Sequence, residues 1–377
     1  MPYRWPASAA AAASQDRPAG CLRLADGLGG RIPLPFYVLS PAGFALKRLG
    51  GSITALATPF RANGLDLDAF ARLLDQQLAA GTQGLVVAGS TGEAHALEQD
   101  EFEALLTFAV ERVAGRVPVI AGTGTANTRK TIAATRRAQA CGADAALVVT
   151  PYYVRPTQEG LLRHFSEVAE QGGLPVVLYN VPSRTGCDLL PSTTAKLAQH
   201  GGIIAIKEAR GDAERVAEVI ALKSTQFCIL SGDDPTCMRA MLAGADGVIS
   251  VASNAAPGPM RDLCDAARAG NIDAASRIDK ALTALYELTG VEPNPIPVKW
   301  CLHLLGLGGP EPRLPLLTLS SAHRERAARV MANLSCLSRP SVASEALGHG
   351  DLSRPSVDSE ALGLLPGAVQ ARHSDAA

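Results

Sequence analysis

Between residue 51 and about residue 254 the chain repeats one unit eight times: a short, continuously apolar run, then a stretch with apolar residues at helical spacing. The runs cover 52–60, 84–89, 117–122, 145–151, 175–181, 202–208, 227–232 and 247–252. Apolar side chains on successive residues, rather than on every second one, suit a parallel strand covered on both faces. The stretches 67–80, 98–113, 128–140, 157–170, 191–199, 212–222 and 234–242 read as crossover helices, several followed by a glycine that stops them. Eight strands alternating with helices predict an α/β fold, the (β/α)8 TIM barrel, in preference to an open doubly wound sheet. No Gly-x-Gly-x-x-Gly opens the first crossover, and Gly122-Thr123-Gly124 is only a fragment of such a loop, which argues against a dinucleotide site.

From residue 255 to about 334 the pattern turns helical, with segments near 274–288, 297–305 and 322–333. The expected organisation is a poorly ordered extension at 1–48, the barrel at 49–254, a helical region packed on it at 255–335, and a disordered tail at 336–377. The tail holds a short duplication, 337–348 against 352–363. Two polar copies are too few to stack into a solenoid. Pro2 and Pro6 interrupt the alanine-rich start, so it fits a secretory leader poorly and reads as an extended start or a dispensable arm.

With 47% hydrophobic residues the chain can fill a large core. Its 35 basic and 36 acidic residues give a net charge of −1, and no dense basic stretch offers a footprint for nucleic acid or an anionic membrane. No apolar run reaches the roughly 18 residues of a spanning helix. The expectation is a soluble, cytoplasmic protein acting on a small molecule. Eight scattered cysteines, with no Cys-x-x-Cys pair and no histidines at ligand spacing, read as buried apolar residues in a reducing compartment and not as a metal site.

In such a barrel the reactive residues lie at the C-terminal ends of the strands, and the unusual polar residues of this chain gather there. Lys207 ends the apolar run Ile203-Ile204-Ala205-Ile206. Burial disfavours a protonated ammonium, and the free amine it leaves is a nucleophile towards carbonyl carbon. Gly89-Ser90-Thr91-Gly92-Glu93 follows the second run, with backbone N–H groups and hydroxyls suited to a carboxylate or phosphate. Tyr152 and Tyr153 follow the fourth run, Tyr179 to Gly186 end the fifth, Ser231-Gly232-Asp233-Asp234 ends the seventh, and Val248-Ile249-Ser250-Val251 forms the eighth. Each feature has a plain structural explanation. The turn can be a cap, the tyrosines packing, Arg184 a surface ion pair, and Lys207 a strand-end residue paired with Glu208. Together on one rim they point to a functional site, with a carbonyl nucleophile near a turn suited to a carboxylate or phosphate.

On these segments, and on Val291-Glu292-Pro293-Asn294-Pro295-Ile296-Pro297-Val298-Lys299, the chain resembles the dihydrodipicolinate synthase family, within the superfamily that also holds N-acetylneuraminate lyase and other pyruvate-dependent class I aldolases. The likeness runs from about residue 51 to 334. It implies a lyase that condenses pyruvate with L-aspartate 4-semialdehyde on the route to diaminopimelate and lysine, with no metal or organic cofactor beyond a covalent imine. By the resemblance, Lys207 forms the Schiff base, Tyr179 shuttles protons in a hydroxyl relay with Ser90 and Tyr153, Thr91 holds the pyruvate carboxylate, Arg184 binds the carboxylate of the aldehyde, and Ile249 lines the pyruvate pocket through its backbone. The tyrosine matching Tyr153 reaches into a neighbouring subunit in this family, which implies a homo-oligomer, a dimer or tetramer.

Two departures stand out. Ser90 replaces the usual threonine, keeping the hydroxyl but losing the methyl that restricts it. Lysine-inhibited members carry histidine and glutamate where Gln99 and Lys130 stand here, which predicts weak or absent lysine feedback. The alternatives are a sibling aldolase, an N-acetylneuraminate lyase or 2-keto-3-deoxy sugar acid aldolase sharing Lys207 and Tyr179, and a catalytically silent barrel. Arg184 discriminates against the first, because a sugar aldolase needs neutral hydrogen-bonding groups at that rim.

Overall fold

The computed structural model describes residues 48–62 and 64–337, and the backbone of a small antiparallel pairing between Val38–Leu39 and Ala45–Leu46. The rest of the 1–48 extension and the duplicated tail lie outside the described residues. Eight parallel strands close into a barrel: β1 (Gly51–Ala55), β2 (Gly84–Val87), β3 (Val119–Gly122), β4 (Ala145–Val149), β5 (Val176–Asn180), β6 (Ile203–Glu208), β7 (Cys228–Ser231) and β8 (Gly247–Ser250), with β8 pairing back onto β1. Several apolar runs outlast their strands at the C-terminal end. The first leaves the barrel after Ala55, and its last residue, Phe60, pairs instead in a small hairpin with Leu65. Of the overhanging residues, Ala88, Gly89 and Val181 line the mouth.

The crossover helices are α1 (Leu67–Ala79), α2 (Gln99–Val113), α3 (Thr128–Ala140), α4 (Gln158–Gln171), a single turn α5 (Pro182–Thr185), α6 (Pro191–Leu197), α7 (Ala213–Ile220) and α8 (Asp234–Leu242). Asp66, Asn127, Thr157 and Asp212 open α1, α3, α4 and α7 by accepting a hydrogen bond from the backbone N–H three residues on. That is why the stretches beginning at 157 and 212 start one residue before the observed helices. The eighth crossover helix, α9 (Pro257–Arg268), was not singled out by its periodicity, because two prolines and a glycine occupy its first turn. Proline is tolerated there, where its missing N–H has no partner to lose. Helices α10 (Ile272–Thr289), α11 (Ile296–Leu304) and α12 (Ser321–Leu337) complete the helical region. Among the described residues no helix is long and apolar enough to cross a membrane.

Side chains alternate along each strand, which divides the core in two. The barrel lumen holds Ile53, Val86, Ile120, Leu147, Val177, Tyr179, Ala205, Leu230 and Ile249. The layer between strands and helices holds Leu85, Val148, Leu178, Ile206, Ile229 and Val248 with the apolar helix faces. On β6 this places Lys207 inward with Ala205, and Glu208 outward with Ile206.

Candidate active site

Lys207 enters the lumen from β6 and is 5% exposed. Its register partner on β5 is Tyr179, and the amine lies 4.3 Å from the centre of the Tyr179 ring. Gly232, just past β7, makes the lysine's path possible. A Cβ at that position would stand 3.0 Å from both Cγ and Cε of Lys207.

Tyr179 also lines a cavity of about 470 Å³ at the barrel mouth, with Gly89, Ser90, Tyr152, Val181 and Arg184 among its walls. The hydroxyl turn is folded tightly: the N–H of Glu93 donates to the Ser90 carbonyl and that of Ala94 to the Gly89 carbonyl. Gly122 lets this turn sit against β3, since a Cβ there would lie 2.1 Å from the Ala88 carbonyl oxygen. Thr91 is buried below, and its Oγ1 accepts a hydrogen bond from Asn294 Nδ2 at 3.0 Å. The Asn294 carbonyl in turn accepts from the guanidinium of Arg184, also at 3.0 Å. One residue of the helical region therefore ties the hydroxyl turn to the arginine.

The turn is anchored a second time through Glu93, which is fully buried in a left-handed conformation. Lys299 donates to Glu93 Oε1 at 2.6 Å and to the Thr58 carbonyl at 3.0 Å, while the Arg313 N–H donates to Glu93 Oε2. Burial lowers the pKa of Lys299 and the neighbouring Glu93 carboxylate works against that shift. Ile249 is 1% exposed on β8. The backbone just beyond it is pinned by Asp234, whose Oδ2 accepts from the N–H groups of Val251 and Ala252.

Of the residues singled out in the sequence, Ser90, Tyr179 and Arg184 share one cavity wall, with Lys207 against Tyr179 and Thr91 beneath the turn. Tyr153 stands apart. Its side chain is 91% exposed and off the cavity, its φ is +73°, and its N–H donates to the Thr185 carbonyl. Gln99 lines the cavity, whereas Lys130 is exposed in the first turn of α3. The roles of Asn294, Glu93 and Lys299 escaped residue-by-residue reading. All three lie in segments that carry the family resemblance, but 93 and 299 are too far apart in the chain to be paired without the fold.

A TIM barrel with a buried lysine beside a tyrosine and a hydroxyl turn at the mouth has the architecture of a lyase. Residues 48–334 match the model of the Dihydrodipicolinate synthetase family, and the chain belongs to it. It is 59% identical over 300 residues to the 4-hydroxy-tetrahydrodipicolinate synthase of Xanthomonas campestris, covering 79% of this chain and 97% of that protein. The enzyme of the same name from Stenotrophomonas maltophilia is 56% identical over 290 residues, 77% of this chain and 97% of the relative. Among solved structures, the chloride-inhibited dihydrodipicolinate synthase of Acinetobacter baumannii complexed with pyruvate superposes with a TM-score of 0.74 at 40% identity, over 76% of this chain and 99% of that one.

Proposed function

We propose that the chain catalyses the 4-hydroxy-tetrahydrodipicolinate synthase reaction, joining pyruvate to L-aspartate 4-semialdehyde through an imine on Lys207. The observation that carries this reading is the buried amine 4.3 Å from the Tyr179 ring, next to a mouth lined by Ser90 and Arg184. Attack of the amine on the keto carbon, with loss of water, gives a protonated imine. That imine accepts electrons when a methyl proton leaves, and the resulting enamine attacks the aldehyde carbon. The amine of the second substrate then closes on the imine carbon and frees Lys207. The imine itself is the electron sink, so the chemistry calls for no metal or organic cofactor.

In this reading Tyr179 carries protons to and from the nitrogen and the carbinol oxygen, with Ser90 lining the same cavity. Thr91 and the turn's N–H groups suit the pyruvate carboxylate, and the Ile249 backbone suits the pocket floor. Arg184, held by the Asn294 carbonyl, presents a guanidinium to the carboxylate of the incoming aldehyde. Tyr153 completes the relay only from a second copy of the chain. The exposed run Tyr152, Tyr153 and Val154 beside the mouth supports a homo-oligomer, dimer or tetramer, that buries it. The reaction belongs in the cytoplasm.

The test is borohydride reduction in the presence of pyruvate, followed by a coupled assay with aspartate semialdehyde, sialic acid and keto-deoxy sugar acids. The reading requires pyruvate fixed on Lys207 and turnover of the semialdehyde. The Arg184→Ala variant should keep the trapping and lose turnover. Full activity in that variant refutes the assignment of Arg184.

A further inference from the structure

Behind the barrel wall, on the side of β5 and β6 that faces the helices, four charged residues and an asparagine form one cluster, buried at Asn180, Glu208 and Arg215 and half-buried at Asp188 and Arg210. Asn180 follows Tyr179, Glu208 follows Lys207, and the two are register partners on adjacent strands. Asn180 Nδ2 donates to both oxygens of Glu208, at 3.1 and 3.0 Å, and to Asp188 Oδ1 at 2.7 Å. Asn180 Oδ1 accepts from the N–H of Leu189, which holds the loop that leaves the Arg184 turn. Arg215, buried on α7, donates to both oxygens of Asp188, at 2.9 and 2.7 Å, and to Glu208 Oε2 at 3.3 Å. The Arg210 N–H donates to Glu208 Oε1 and its guanidinium to Asp188.

The two guanidiniums also reach Asp212 and Glu218 at the edge of the cluster, at 3.0 and 3.6 Å, so every charge in it has an opposite partner. Burial leaves the Glu208 carboxyl above its usual range despite hydrogen bonds from the Arg210 N–H, Asn180 and Arg215. None of these groups faces the lumen, and none can touch substrate. A hydrophobic pair would fill the same space more simply, which makes the direction of the hydrogen bonds the informative feature. They fasten together the residues next to the lysine, the residue next to the tyrosine, and the loop that follows the arginine.

We propose that Asn180 and Glu208 are positioning residues that hold Lys207 and Tyr179 at the separation imine formation needs, with Asp188 and Arg215 extending the same hold to the Arg184 loop. This rests on the proposed imine chemistry. A misplacement of about 1 Å can cost on the order of a hundredfold in rate, and loss of one clamp should cost about a tenth of that.

The experiment measures the single-turnover rate at which saturating pyruvate is fixed by borohydride, the pyruvate KM, and the melting temperature. It uses the full chain as wild type, Asn180→Ala, Glu208→Ala, Glu208→Gln, and the Asn180→Ala/Glu208→Ala double variant. We expect trapping per folded enzyme to fall about tenfold in each alanine variant, with KM changing less. Glu208→Gln, which keeps the shape and one acceptor, should recover most of the rate, and the double variant should be no slower than the worse single one. Lowered melting temperature with a wild-type trapping rate would overturn the proposal and reduce the cluster to a stability element. Losses that multiply in the double variant would overturn it as well. If Asn180→Ala does not fold, the comparison of Glu208→Gln with Glu208→Ala decides, equal rates overturning the proposal. No fixation of pyruvate by the wild type would instead sink the imine reading itself.

Discussion

Replacing Gly232 with alanine is the smallest change that should disable Lys207 while leaving the barrel intact. The backbone at 232 is not in the left-handed region, so alanine meets no conformational penalty there. The added methyl would stand 3.0 Å from Cγ and Cε of Lys207 and 3.1 Å from Cβ of Ala209. Carbon atoms at rest are about 3.5–4.0 Å apart, so something must move by roughly 0.5–1 Å. Ala209 is held through its backbone to the Asn180 carbonyl, whereas the lysine stem is a flexible chain, so the lysine gives way. Stability should fall by no more than about 1–3 kcal/mol, the usual cost of a tight methyl. Imine formation should fall by roughly tenfold to a hundredfold, equivalent to about 1.4–2.7 kcal/mol of barrier. Stopped-flow or quenched trapping of pyruvate, beside a thermal melt, separates the two effects. A variant that traps pyruvate as fast as wild type would show that the amine's position is not set by this contact.

Acid should destabilise the fold through His164, which is buried on α4 with Nδ1 against Thr128 and is shifted by burial from 6.5 to about 4. Above about pH 6.5 the ring is neutral in both folded and unfolded chains and its contribution is complete. As pH falls from there towards 4 only the unfolded chain takes up the proton, so roughly 2 kcal/mol is lost by pH 5. Denaturant melts at pH 7 and pH 5 should show that loss in wild type and a smaller one in His164→Gln; equal slopes in the two proteins would contradict it. For regulation, the exposed cation at Lys130 and the amide at Gln99 repel or fail to hold a lysine ammonium. Activity should stay nearly level as lysine rises, and strong inhibition at submillimolar lysine would refute that.

The strand and crossover pattern was legible because parallel strands buried on both faces leave unbroken apolar runs, and because the stretches between them carry apolar residues at helical spacing, several with a glycine stop. Helix α9 was not legible, since prolines and a glycine at its start mask its period. Lys207 stood out in the chain for the same reason that it suits chemistry, a charge at the end of an apolar strand. The chain alone thus determined the barrel and the rim on which the unusual polar residues gather, and it pointed to Lys207 as the proposed nucleophile, all of which follow from local burial patterns and strand-end positions. Only the tertiary structure decided how that rim is held: the pairing of Lys299 with Glu93 across 206 residues, the bridge from Asn294 to Thr91 and Arg184, and the outward cluster joining Asn180 to Glu208. Those partners meet only when the barrel closes, because a hydrogen bond depends on distance in space and leaves no period in the sequence.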